Sequence, residues 1–166
     1  IMPSLVGSEM CIRDRLREAL AGVEDDYDVI LIDCAPSLDQ LTINGLVAAQ
    51  GVIVVTHSKL WSANGLAQLL DTIDSVRSYY NGALRVAGII VNQHEENTIS
   101  GKTWLDELHQ AAESRKLTVL DPPIPKRVVI ADTVEAARGL DEWGSAEAAA
   151  LGQLYAHHLT CIEGAL

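Results

Sequence analysis

Four stretches carry residue types whose spacing could do chemistry. Asp28–Asp33, DVILID, is an apolar run that ends in an acid. A buried strand delivers such a carboxylate rigidly to its carboxyl end, where it can hold magnesium or a water of its shell, the physical form of a Walker B element. A helix cap or a turn would use the same acid. Asn92 closes the run Leu84–Asn92, LRVAGIIVN, and its amide, at once donor and acceptor, suits the edge of a base. A turn residue after a strand would read identically. Asp121–Arg127, DPPIPKR, offers apolar surface at Ile124 and Pro125 and charge at Lys126 and Arg127, or else a plain strand-exit turn. Ser100-Gly101-Lys102-Thr103 has the letters of a phosphate loop's tail. The required Gly five positions before Gly101 is Glu96, inside an acidic run that would repel phosphate, so this stretch reads as a helix start with Ser100 as cap.

The elements that must position these residues alternate. Leu16–Gly22 reads as the end of a helix. Asp28–Asp33, Gly51–Thr56 and Leu84–Asn92 read as buried strands and Leu117–Leu120 as a short fourth. Helices are expected from about Asp39 to Gln50, over Ser62–Tyr80, over Thr103–Ser114 and over Ser145–Ile162, the first followed closely by Gly51 and the second ended by Asn81-Gly82. Strands alternating with helices mean βαβ units, with the three main strands parallel and adjacent in one sheet. In such sheets ligands bind beyond the carboxyl ends of strands, where Asp33, Asn92 and the Asp121–Arg127 run all fall.

Composition agrees. The 166 residues are 48% hydrophobic and 21% charged, only 4% aromatic, and contain no Phe, which suits a Val, Ile, Leu and Ala core. Twelve Lys and Arg against 23 Asp and Glu give a formal charge of −11, so contact with nucleic acid or an anionic membrane needs a local basic patch. Cys11, Cys34 and Cys161 lack zinc-type spacing and suit a reducing compartment. No apolar run approaches the ~20 residues of a membrane helix. His157-His158 reads as a solvated helix face, Trp61, Trp104 and Trp143 as core or dimer contacts, and Glu24–Asp26 and Glu95-Glu96 as solvated loops.

LIDCAPSLDQLTINGL, GVIVV, WSANGLAQLLDTI, VAGIIVNQ and IPKRVVIADTVEA, in that order, resemble the C-terminal part of the ParA family of deviant Walker-type partitioning ATPases, from about Asp28 to Leu159. The resemblance implies a three-layer α/β fold of the P-loop NTPase type with a parallel sheet, truncated at its N-terminus. It implies ATP and Mg2+ as cofactors of an intact parent. Asp33 would be the catalytic Walker B acid, acting on magnesium through water. Cys34–Ser37 would be the mobile loop after it, with Pro36 stiffening the turn. Asn92 would read the adenine edge, and Ile124, Pro125 and Lys126 would pack against the base.

The family's Gly-rich loop with two lysines, expected roughly a hundred residues before Asp33, is absent, so the chain alone is expected not to hydrolyse ATP. The parent is expected to be a cytoplasmic, nucleoid-associated homodimer that segregates a plasmid or chromosome. It would bind non-specific DNA, through candidates Lys102, Arg115, Lys116, Lys126 and Arg127, and a ParB-like centromere-binding protein, but no membrane. A MinD-like ATPase would need a basic amphipathic C-terminal helix, yet Ser145–Leu166 holds no Lys or Arg. A non-enzymatic interaction module is the remaining alternative. Residues 5–15, LVGSEMCIRDR, resemble a translated sequencing adapter. Residues 1–15 are therefore expected to be non-native, and 16–166 to be the C-terminal part of the ATPase domain.

Overall fold

The computed structural model describes residues 14–35, 37, 39–57 and 63–166, with side chains from 68 onward in the last span. The adapter-like segment up to residue 13, Pro36, Trp61 and Ser62, where the second expected helix begins, lie outside them. Two compact units are present, residues 1–52 with 63–85, and residues 53–62 with 86–166.

In the first unit, α1 (Arg15–Leu20) buries no residue and leads through a 3-10 turn, Glu24–Asp26, to residues 27–35, which form no regular element. The expected strand Asp28–Asp33 is therefore corrected: Val29, Ile30 and Leu31 are exposed, Leu31 by 74%. A buried strand needs ladder partners for its backbone, and among the described residues these have none. Then comes α2 (Gln40–Ala48), which buries Thr42, Gly45, Leu46 and Val47. The long α3 (Ala63–Tyr79) buries Leu70, Ile73 and Val76, spaced for one helical face. The Asn81 amide donates to the carbonyls of Leu46, Val47 and Ala49 at 3.2, 3.2 and 2.7 Å, satisfying the acceptors that the end of α2 leaves open.

The sheet runs β1 (Gly51–His57), β2 (Arg85–Asn92), β3 (Val119–Leu120), in that order. β2 and β3 are parallel, with Ile89 opposite Val119 and Ile90 opposite Leu120. Gly88 makes this apposition possible, since a Cβ there would come within 2.9 Å of the Leu120 side chain. α4 (Ile99–Ser114) starts four residues before the expected Thr103. Its cap is Thr98, which accepts from Gly101 N at 3.1 Å, and Ser100 lies exposed in its first turn. α5 (Val128–Glu135) was not expected from its Val-rich sequence; Val129 and Thr133, one turn apart, are its buried pair. α6 (Ala146–Ala165) is capped by Ser145, whose hydroxyl oxygen accepts from Ala148 N.

Two apolar clusters anchor the second unit. Ala87, Leu120 and Ile162 are packed by Ile53, Ile90 and Cys161, and Val129, Ala148 and Leu151 by Ile130, Leu140 and Trp143. Each fully buried aliphatic side chain contributes about 1.5–3 kcal/mol, so α6, which feeds both clusters, holds this unit together. No helix of the described residues is long and apolar enough to cross a membrane.

Candidate functional site

Asp33 is exposed and makes no hydrogen bond or ion pair with the described residues, so its carboxylate is open to a ligand. The chain on either side of it is fastened to α2. A Cβ on Gly45 would come within 2.7 Å of Cys34 Sγ and 3.5 Å of Ile32 Cγ2, so the missing side chain is what lets this segment lie against the helix. The Thr42 hydroxyl donates to the Ser37 carbonyl at 2.6 Å, with the Ala35 carbonyl at 3.3 Å. Asp39 caps α2, accepting from Leu41 N and Thr42 N at 3.0 and 3.1 Å and from the Ser37 hydroxyl at 2.9 Å. Asp33 is thus not the cap of the helix that follows it.

These contacts set the local electrostatics. The Thr42 amide, then the Ser37 hydroxyl, hold the Asp39 carboxyl below its ordinary value, against a small opposing effect of burial. The Cys34 thiol is pushed up, first by partial burial and then by the negative charges of Asp33 and Asp39. Cys34 is therefore a poor nucleophile where it stands.

The other candidates gather in the second unit. Asn92, half-buried, ends β2, and its Oδ1 accepts from Gln93 N at 2.9 Å, a bond accompanied by a left-handed Gln93 with φ of 53°. The Asn92 amide nitrogen has no partner among the described residues. Beyond the cis Asp121–Pro122 peptide, the chain returns alongside β2. Ile124 N donates to Val91 O at 2.8 Å, His94 N to Ile124 O at 2.9 Å and Lys126 N to His94 O at 3.0 Å, with a parallel bridge between His94 and Pro125. The ladder thus brings Asn92, Ile124, Pro125 and Lys126 to one strand end. Ile124 is 3% exposed with both backbone groups used and Pro125 is buried too, so the packing against a base expected of this pair is not open to a ligand and contact falls to the Asn92 amide and the Lys126 chain.

Two of the cations expected on a DNA surface, Lys126 and Arg127, already face acids. Lys126 Nζ lies 3.9 Å from Glu95, and Arg127 lies 3.5 Å from Glu96 and 3.3 Å from Glu147. Glu95-Glu96 is thus an ion-pairing loop rather than a merely solvated one. Lys102, Arg115 and Lys116 are exposed on or just after α4. His157 is exposed as expected, whereas His158 is 2% exposed with Nε2 3.0 Å from the Pro122 carbonyl, which corrects its reading as a solvated residue. Sequence reasoning missed Thr42 and the inward role of His158 and read Asn81 only as a helix stop, and each acts through hydrogen bonds to residues beyond its own turn. Only the helical spacing of Ala148, Leu151, His158 and Ile162 hinted that His158 faces inward.

The parallel sheet with polar residues at its strand ends makes this an α/β chain, and its likeness to a solved ATP-binding synthase places it in the P-loop NTPase-like class. A family model described as an AAA domain matches residues 3–86, a span that includes the adapter-like segment. The chain belongs to this family, and the Soj and ParA proteins among its relatives make it a ParA-family chain. An uncharacterized protein of Mycobacterium tuberculosis is 36% identical over 136 residues, covering 82% of this chain and 42% of that protein. The chromosome-partitioning ATPase Soj of Thermus thermophilus is 39% identical over 100 residues, 58% of this chain and 39% of Soj. A crystal structure of cobyrinic acid a,c-diamide synthase from Mycobacterium smegmatis, with bound ATP analog and magnesium, superposes with a TM-score of 0.63 at 36% identity, covering 70% of this chain and 45% of that one. The chain spans less than half the length of the curated relatives it matches.

Proposed function

We propose that this chain is the adenine-side part of a partitioning ATPase of the Soj/ParA type, whose whole protein dimerises on ATP, binds DNA without sequence preference and answers to a ParB-like partner on the nucleoid. The observation that carries the reading is the ladder from Val91 to Lys126, which sets the Asn92 amide beside the Ile124–Pro125–Lys126 loop at the end of a parallel strand. A free amide donor is what an acceptor on the edge of a purine requires, with the exposed Lys126 chain as its neighbour. Asp33, exposed and without a partner among the described residues, suits a magnesium-bound water. When bound, the nucleotide and its metal supply the phosphoryl group and the charge that polarises it. The chain's own part is to orient the base through Asn92 and to accept from water at Asp33.

The phosphate cradle is not among the residues that fit. Backbone amides and lysines at the phosphates supply the dominant electrostatic stabilisation in phosphoryl transfer, so this chain by itself is expected to turn over no ATP. The test uses two samples. A fluorescent adenine nucleotide titrated into the chain should bind weakly and lose that binding on Asn92→Ala. In the full-length protein Asp33→Ala should lower magnesium-dependent ATP hydrolysis about 10²-fold, the scale of losing one preorganised electrostatic contact. Unchanged hydrolysis would remove Asp33 from the site, and ATP turnover by the chain alone would overturn the assignment of the missing parts.

A further inference from the structure

The Asp121–Arg127 loop is held by more than its strand ladder. His158, in the middle of α6 and 2% exposed, places Nε2 3.0 Å from the Pro122 carbonyl oxygen. A carbonyl can only accept, so Nε2 carries a proton, and in the neutral ring Nδ1 is then the bare nitrogen. Nδ1 is buried and has no hydrogen-bond partner among the described residues. The ring therefore spends its single donor on the loop. At the other end of the loop, Arg127 Nε lies 3.3 Å from Glu147 in the first turn of α6. From α4, His109 Nε2 stands 3.5 Å from the Asp121 carboxylate.

The two contacts with α6 are consistent in length. Glu147 to His158 is eleven residues of helix, about 16 Å at 1.5 Å per residue. Fully extended, the five residues from Pro122 to Arg127 would reach about 16 Å at 3.3 Å per residue, enough to join both contacts. The loop therefore runs antiparallel along α6, touching it at both ends. We infer that α6 is the splint of this loop and that His158 is its positioning residue, fixing through the Pro122 carbonyl where Ile124, Pro125 and Lys126 stand. The Arg127–Glu147 pair is exposed and adds little, whereas the His158 bond is part-buried and its loss strands a buried imidazole N–H. The consequence for nucleotide binding rests on the reading that this loop faces the base, but the positioning itself does not.

The experiment is amide hydrogen exchange of peptide 121–127, without nucleotide, together with the 15N spectrum of the histidine rings. In His158→Leu the Ile124 and Lys126 amides should exchange about fivefold faster or more, the scale of one lost buried hydrogen bond. His158→Gln, whose amide nitrogen can reach the place of Nε2, should recover most of the protection, and Arg127→Ala should stay within about twofold of wild type. The wild-type spectrum should show the Nε2–H tautomer at His158. Exchange in a folded His158→Leu within twofold of wild type would overturn the inference, as would the Nδ1–H tautomer. If the Leu variant does not fold, the Gln variant and the wild-type tautomer decide alone. Wild-type exchange indifferent to added nucleotide would sink the base-facing reading and leave the positioning result standing.

Discussion

Asp39 and Cys34 show how two neighbouring groups are driven apart by the same turn. Asp39 receives the Thr42 amide and the Ser37 hydroxyl, so its charged form is favoured in the folded state. A carboxyl whose folded value lies below its unfolded value of about 4 contributes stability above that pH and loses it as the pH falls through the folded value. The stability difference between wild type and Asp39→Asn should therefore be largest above about pH 5 and shrink below about pH 4, as read by urea unfolding at each pH. A difference constant down to pH 2 would show that the cap works without its charge. For Cys34 the sign is opposite, since burial and then the charges of Asp33 and Asp39 keep its proton on. Alkylation at pH 8, followed on the Cys34 peptide, should be slower than for a free thiol and should speed up in Asp33→Asn. An unchanged rate would mean that burial alone governs the thiol.

Helix ends are where the elements are secured. Leu117 N donates to Ala112 O at 2.9 Å and Lys116 N to Glu113 O at 3.0 Å, a Schellman closure of α4 with Lys116 in the left-handed region at φ 58°. Glycine adopts that conformation without strain, so Lys116→Gly should raise stability by up to about 1 kcal/mol. Loss of stability would show that the Lys116 side chain contributes more than its backbone costs. The end of α2 is closed from 32 to 35 residues away by Asn81, and Asn81→Ala should cost about 1–3 kcal/mol in denaturant unfolding, because three carbonyls lose a donor. This second closure marks the boundary of what can be read from sequence. Residues adjacent in the chain announced themselves: the helix start near Asp39, the Asn81-Gly82 stop, the apolar period of β1 and β2, and the strand-end positions of Asn92 and Ile124. Asn81 and His158 gave little sign, because what each does depends on a carbonyl more than thirty residues distant. DVILID misled for a related reason: its apolar run specifies a strand only when neighbouring strands are present to pair with it. The Val-rich α5 went unrecognised because burial of Val129 and Thr133 on one side overrides an intrinsic preference for strand.

For the whole molecule the governing quantity is the charge of −11, which repels a polyanion until close range. The basic candidates are reduced further by their own neighbours, since Arg127 faces Glu96 and Glu147, and Lys126 faces Glu95. Exposed pairs of this kind are worth well under about 1 kcal/mol, so phosphates could displace the glutamates, but each exchange releases fewer counterions than a free cation would. Duplex DNA should therefore bind this chain weakly at low salt, with a salt dependence shallower than the count of its cations would give. Neutralising Glu96 and Glu147 together, as Glu96→Gln with Glu147→Gln, should tighten binding at about 50 mM salt and steepen the salt dependence by about one unit of slope, because Arg127 would then meet a phosphate unpaired. A double variant with the same affinity and slope as wild type would exclude Arg127 from the DNA surface. That would move the search to Lys102, Arg115 and Lys116 on and beside α4.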